Sequence, residues 1–504
     1  MAYDPSSMGK LTSCAVLFAV SACGGGGSKP DAAVHDSASA DAPAATLGPA
    51  PALAIACNDA LADVYTLPSG LPTMSDAHRG DVFHCAVTES LSAYKVNTQI
   101  VADNANYPLA EAPTEMSGFW TYRIAYRSER NTVNNARAEG DMAAVLLVPE
   151  KPLAGAPLVV FGHGSCGVAP KCAPSHHSLA GLPDDQDYPP PLFRIAGAGY
   201  TVIMPDYSGF SYGQAPGYFN AEDEAHAILD ATRAAANVLP TPPSKVVFVG
   251  HSQGGHAVVS AQAFAESYGH AGTLVGVAAI APLWTSLDLF AAATTSTAGL
   301  MTANAGDVGA ILYAMEYAYS AGELDDGAGH GVDVFQSAKQ QAAKDTILGG
   351  ECYDQAQLQA LGATPGDFFD STYVSSVGNA CSLGGSCTDT ISMTWKARWM
   401  ADRPAIDPNG APMLVMFGGM DAFVTPGRQQ CAIDKWTGDL GAGSNATATV
   451  TYCSDGPAAH RDLVRTSDVD YVLQWVANKA GIGDAPAACT APTMHSCPPL
   501  PVNW

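Results

Sequence analysis

The chain predicts an α/β protein: a mostly parallel sheet of eight strands with helices on both faces, interrupted late by an inserted, mainly helical segment. Three observations predict it. Short continuous apolar runs alternate with helix-like stretches, the pattern of strands buried on both faces of a parallel sheet. The first two strong runs are separated by a polar segment, which reads as an antiparallel start. Between residues 282 and 411 no convincing strand occurs, and that interval is far too long for an ordinary connection.

Each element follows in order. Residues 1–23 read as an address. Lys10 precedes the short apolar run "LTSCAVLFAV", and then comes Val20-Ser21-Ala22-Cys23, which resembles a bacterial lipobox. That resemblance implies that Cys23 is acylated and anchors the mature chain. Residues 24–51 are Gly, Ala, Ser, Pro and Asp with almost no large apolar side chain, so they read as a flexible linker. Residues 52–283 form the first part of the core. Strands are expected at 119–127, 142–149, 157–162, 200–205, 245–250 and 274–281, with helices at 221–238 and 253–267. Residues 284–405 form the inserted cap, with helices near 307–322, 334–348 and 354–362. Residues 406–482 complete the core with strands 412–418 and 447–452 and helices 426–437 and 461–480. Residues 483–504 are a Pro- and Cys-rich tail. No run after the leader reaches the roughly 18 apolar residues of a membrane-spanning helix.

Composition narrows the function. The formal charge is −25, from 23 basic and 48 acidic residues, which argues against nucleic acid or an anionic lipid surface as partner. The only membrane contact expected is through the N-terminal anchor, and no obligate protein partner is implied. An export signal permits disulfides among the 13 cysteines. Neighbouring pairs are expected: Cys57 with Cys85, Cys166 with Cys172, Cys381 with Cys387, Cys431 with Cys453 and Cys489 with Cys497, leaving Cys352 unpaired. No CxxC or finger-like spacing calls for zinc, and no metal or organic cofactor is expected.

The candidate chemistry sits at "KVVFVGHSQGGHAVVS" (residues 245–260). The five-residue pattern Gly250-His251-Ser252-Gln253-Gly254 is weak alone in a chain with 50 glycines. Its setting is specific. A buried-type strand precedes it and an Ala-rich helix follows, as a nucleophile elbow requires. Gly250 and Gly254 make room for a crowded turn that lifts the Ser252 hydroxyl, and the backbone N–H of Gln253 faces the position of an oxyanion. A serine needs a base. Asp421, in "GGMDAFVTP" just past a strand end, and His460, in "SDGPAAHRDLV" after the last strand, follow in the order Ser, Asp, His. Asp434, Asp439 and Asp455 compete for the acid role. His495 competes with His460 but lies in the tail. His251 and His256 read as packing or supporting contacts. In "FGHGSCG" the N–H of Ser165 is the expected second oxyanion donor, with Gly164 as alternate. Asp206 in "MPDY" reads as a buried, hydrogen-bonded structural residue.

The motifs "HGSCGVAPKCAPS", "PDYSGF", "HAILDATRAA", "GHSQGGHA", "GGMDAFVTP" and "AAHRDLV" together resemble the secretory lipase family of α/β hydrolases, over roughly residues 115 to 480. The resemblance implies an α/β-hydrolase fold, a helical cap over an acyl pocket, and Ser252, Asp421 and His460 as a triad cleaving carboxylic esters through an acyl-enzyme. Peptide or amide hydrolysis by the same triad is the second reading, since Glu316, Glu323, Asp325 and Asp326 in the cap are available to anchor an ammonium. A lipoprotein that only binds is the third.

Overall fold

Nine strands make the main sheet, in the order β1-β2-β5-β7-β6-β8-β9-β10-β11, one more than the eight expected. The computed structural model describes residues 47–106, 116–130, 138–179, 187–284, 287–301, 305–327, 329–350, 352, 356–377, 389–442 and 448–497. The expected signal with Cys23, most of the expected linker, and Cys381 and Cys387 lie outside them. A short helix α1 (Leu61–Val64) leads into β1 (Val82–Leu91), α2 (Ala93–Asn106) and β2 (Phe119–Tyr126). A two-stranded ribbon, β3 (Glu129–Arg130) with β4 (Ala138–Glu139), precedes β5 (Met142–Pro149) and β6 (Leu158–Gly162). Then come α3 (Pro189–Gly197), β7 (Val202–Pro205), α4 (Ala221–Val238), β8 (Lys245–His251), α5 (Gln253–Tyr268) and β9 (Thr273–Ile280).

The added strand is β1. It is antiparallel to β2, with two register shifts, and one side of it is only partly covered. Its sequence "VFHCAVTESL" has no clean two-residue period, so it carries no strong strand signal. From β2 through β5 to β7 the neighbours are antiparallel. From β7 through β6, β8, β9, β10 (Met413–Gly418) and β11 (Val450–Asp455) they are parallel.

The parallel half is apolar on both faces because both are covered. In β8, Val246 and Phe248 enter one core while Val247 and Val249 enter the other. In β10, Met413, Val415 and Phe417 share the first core, and Leu414 and Met416 the second. Helices α4 and α5 and α12 (Pro426–Ala442) cover the first face; α3 and α13 (Asp468–Ala480) cover the second. The expected helix at 461–480 is split. A 3-10 turn, Asp462–Val464, precedes α13, so the residues after His460 form a tight turn rather than a long helix.

Between β9 and β10 the described chain is helical: α6 (Leu287–Thr294), α7 (Ala305–Ala321), α8 (Gln340–Gly349), α9 (Ala356–Leu361), α10 (Ser371–Ser376) and α11 (Thr390–Ala401). Asp370 and Asp389 cap α10 and α11 by accepting backbone N–H bonds. Buried Phe290, Met315, Tyr317 and Trp395 continue the first core into this insertion.

The disulfides correct the sequence-based pairing. Cys57–Cys85 forms as expected. Cys172 pairs with Cys352, which was expected to be free, and Cys166 keeps a buried thiol. The Cys166 sulfur lies 3.8 Å from His163 Nδ1, inside the loop, whereas Cys172 ends a 3-10 turn and meets the insertion. Cys431 pairs with Cys497, and Cys453 with Cys489, in place of Cys431–Cys453 and Cys489–Cys497. The tail is therefore fastened to the body rather than to itself.

Candidate active site

Strand β8 ends at His251, and the chain turns at once into α5. Ser252, between them, adopts φ 55° and ψ −115°, a conformation that side chains other than glycine rarely take. Its N–H donates to Ile280 O at 2.9 Å, and its own carbonyl accepts from His256 N at 3.1 Å. The turn brings α5 against β6. A Cβ on Gly254 would fall on the carbonyl of Gly162, and one on Gly250 would fall on the carbonyl of Gly254. Ser252 occupies the N-cap position, yet its hydroxyl caps nothing in the helix. Its Oγ instead lies 2.9 Å from His460 Nε2.

His460 comes from the loop after β11, and Asp421 from the loop after β10. These adjacent parallel strands end side by side, with Gly418 opposite Asp455. Met420 N donates to Ala458 O at 2.9 Å, tying the two loops together. The His460 Nδ1 lies 2.7 Å from Asp421 Oδ2. The other carboxylate oxygen accepts from the backbone N–H groups of Phe423 and Val424, each at 2.8 Å. Burial pushes the Asp421 carboxyl upward, but His460 and these N–H groups outweigh it and hold the group below its ordinary value. Burial pushes His460 downward, and the Asp421 charge and hydrogen bond, helped by Asp187, raise it above its ordinary value. With Nδ1–H given to the carboxylate, the Nε2 lone pair faces the serine hydroxyl.

The loop after β6 lies alongside. A Cβ on Gly164 would sit 3.5 Å from Ser252 Cβ, so this backbone passes directly by the serine. Tyr207, itself at φ 71°, donates its hydroxyl to His163 O at 2.9 Å. Asp206 is fully buried and accepts from Ser175 N at 2.8 Å and Ser211 Oγ at 2.5 Å, as its structural reading expected. Ser165 Oγ pairs with Tyr218 OH at 2.6 Å, so its side chain is engaged there, while Ser252 Oγ pairs with His460. Gln253 is the first residue of α5, where an N–H has no acceptor one turn earlier.

Asp455, which ends β11, lies within this loop pair and accepts from Gly419 N at 2.8 Å through its backbone carbonyl, and the other competitors lie elsewhere. Asp434 accepts from Gln430, Asp439 pairs with Lys435, and His495 bonds through its N–H to Gln430 in the tail. Sequence reasoning read His251 as a packing or supporting contact without its partner, and it missed Asp187. His251 Nε2 lies 3.0 Å from His460 O, so the residue before the serine steadies the backbone of the histidine. Burial, with the neighbouring His460 charge, lowers His251 to about 4 and keeps it a neutral donor. Asp187 pairs with Arg461 at 2.5 Å beside the histidine. No local pattern marks either contact. The insertion reaches over the site through aromatic rings: Tyr313 of α7 lies 6.5 Å from Tyr218 and 6.3 Å from Phe423, and Phe423 lies 5.3 Å from His460. Among the described residues no group of His, Cys, Asp and Glu is arranged to hold a metal.

The sheet order, the helices on both faces and the helical insertion after β9 define an α/β-hydrolase fold. Within that class, the secretory lipase family model matches residues 192–321, a part of the chain. Lipase A of Moesziomyces aphidis is 31% identical over 219 residues, covering 42% of this chain and 40% of that protein. The chain thus matches less than half the length of that relative. Candida antarctica lipase A in its closed state superposes with TM-score 0.60 at 19% identity, over 87% of this chain and 91% of that one. The rice cell wall degrading esterase LipA from Xanthomonas oryzae gives a TM-score of 0.53 at 19% identity, over 80% of this chain and 97% of that one. At these identities the two structures speak for the fold.

Proposed function

We propose that this chain is a serine carboxylic-ester hydrolase of the lipase and esterase type. The observation that carries the reading is the relay from Asp421 through His460 to Ser252, at 2.7 and 2.9 Å, with the serine on a strained turn. Ser252 attacks the ester carbonyl while His460 Nε2 takes its proton. The oxyanion is held by the N–H groups of Gln253 and Ser165, with Gly164 as the alternate donor. His460 then protonates the leaving alcohol, and water reverses the sequence to release the acid. Asp421 holds the tautomer and balances the imidazolium charge. No cofactor takes part in these steps. The secretory-lipase match and the lipase and esterase neighbours support an ester substrate.

Peptide hydrolysis is the second reading, and the cap acids weigh against it. Asp325 and Asp326 are paired with Arg398, Glu323 accepts from the N–H groups of Gly329 and Gly331, and Glu316 is buried. Three of them are thus engaged, and burial raises the Glu316 carboxyl to about 8, so it carries little charge for an ammonium near neutral pH. Export fits the four disulfides found among the described residues, and attachment through Cys23 is part of the proposal.

The test is release of p-nitrophenol from acetate, butyrate, octanoate and palmitate esters by the wild type and Ser252→Ala. Turnover that falls by about 10⁴-fold or more in the variant is expected. A folded wild type inert on every ester, or a variant that keeps its rate, overturns the reading.

A further inference from the structure

Behind the elbow lies a buried polar chain that the hydrolytic steps do not use. The Glu224 carboxylate, on the first turn of α4, accepts from Gln253 Nε2 at 2.8 Å and from Phe219 N at 2.9 Å, both on Oε1. Its Oε2 lies 2.7 Å from His256 Nδ1. His256 Nε2 lies 2.7 Å from the carbonyl of Asp402, the residue that ends α11. Asp402 in turn accepts from Ala221 N at 3.2 Å and from Tyr317 OH, on α7, at 2.7 Å. Both nitrogens of His256 thus face oxygen atoms; burial disfavours a charged ring, but the Glu224 charge and hydrogen bond outweigh it and raise His256 above its ordinary value. Glu224, His256, Gln253, Asp402 and Tyr317 are all buried. Phe219, held by the same carboxylate oxygen, has φ 56°. One carboxylate therefore fixes a strained backbone at the start of α4 and the side chain of the first residue of α5. The chain then runs into two helices of the insertion.

We propose that Glu224 is a positioning residue for the oxyanion site. It holds Gln253 so that its backbone N–H stays aimed at the reacting carbonyl, and the His256–Asp402–Tyr317 chain ties that setting to the seating of the helical insertion. The inference rests on the hydrolytic role of Ser252. A donor fixed before the reaction begins stabilises developing charge without reorganising, and a small misplacement costs rate rather than substrate binding.

Two readouts test it: kcat and KM on a p-nitrophenyl ester, and the rate at which a fluorophosphonate labels Ser252. Glu224→Gln is expected to lower kcat about tenfold with KM within about twofold. Gln253→Ala, which keeps the backbone N–H, is expected to do the same. The double variant should be no worse than the poorer single, because both cut one link. Tyr317→Phe should give a smaller loss of the same kind, about threefold. Losses that multiply, or a kcat within about twofold of wild type in Glu224→Gln, overturn the proposal. If Glu224→Gln does not fold, the Gln253→Ala and Tyr317→Phe pair is judged by the same rule. If the wild type labels but turns over no ester, the ester reading fails and the labelling rates still decide this one. If Ser252 does not label at all, both fall.

Discussion

His460 stands between burial, which favours its neutral form, and Asp421, which favours its charged form; the carboxylate wins. In the proposed mechanism His460 takes a proton and must be neutral to do so, so activity is expected to be lost as pH falls through the raised value. The acid limb of kcat/KM is expected above about 6.5, the ordinary imidazole value. Asp421→Asn removes the raising charge, so the limb should move down while the rate falls by about 10⁴-fold. A pH–rate profile of both proteins checks this, and an unmoved limb would contradict it. In Glu316 burial wins instead. Burial, opposed only by a hydrogen bond from Val168, raises its carboxyl to about 8, and one of its oxygens has no partner. The unfolded chain releases this proton near pH 4 and the folded chain keeps it, so its contribution to stability falls as pH rises toward 8. Glu316→Gln is expected to gain little at about pH 4 and on the order of a few kcal/mol at about pH 8. Urea midpoints at the two pH values would show it.

Among the elements, the elbow depends on the close approach of α5 to β6. Helix α5 passes β6 so tightly that Gly254 has no space for a side chain, because a Cβ would meet the backbone of Gly162 rather than a movable group. Gly254→Ala must therefore shift the helix that carries Gln253. A stability loss of at least about 2 kcal/mol is expected, with most of the ester turnover lost. Denaturant unfolding and a rate assay on the same sample test the two parts. The insertion is held from below in a different manner. Cys352, between α8 and α9, is bonded to Cys172 in the loop after β6, so a covalent link joins the cap to the loop beside the serine. The Cys166 thiol, which burial raises well above its ordinary value, is poorly suited to exchange with that bond.

Across the whole molecule, both outer strands of the main sheet are covered by a disulfide-held segment. At β1, Cys57 bonds Cys85, while Asp59 N and Val87 N join the segment and strand at 3.2 and 3.3 Å. At β11, Cys453 bonds Cys489, and Ser454 N donates to Thr490 O at 2.8 Å. An open sheet edge invites pairing with another chain, and these segments occupy it. Removing Cys453 and Cys489 together is expected to cost about 2–4 kcal/mol. It should also raise aggregation on warming, because the segment around Thr490 is loosened from β11 while Cys431–Cys497 still holds the tail further on. Calorimetry with light scattering measures both, and a variant that melts and scatters like wild type would show that the tail is not needed there. The net charge of −25 works in the same direction by keeping copies apart.

The sequence by itself determined the features that depend on neighbours in the chain. The two-faced apolar runs of β5, β8 and β10 marked buried strands, and the strand–turn–helix around Ser252 marked the elbow. The order of Ser252, Asp421 and His460 at strand ends was readable because parallel strands present their following loops on one edge. The long interval without a strand marked the helical insertion. Tertiary structure alone decided what depends on distant segments. β1 pairs through a bulged, half-covered ladder and shows no clean period. The bridges of Cys172 with Cys352 and of Cys431 with Cys497 follow from where the insertion and tail come to rest, and the shortest spacings misled. The contact of His251 with the His460 backbone, and the Glu224–His256–Asp402 chain, join residues far apart in sequence. A local pattern records what a residue's neighbours require; it holds no record of which remote group will satisfy a buried donor or sulfur once the chain has folded.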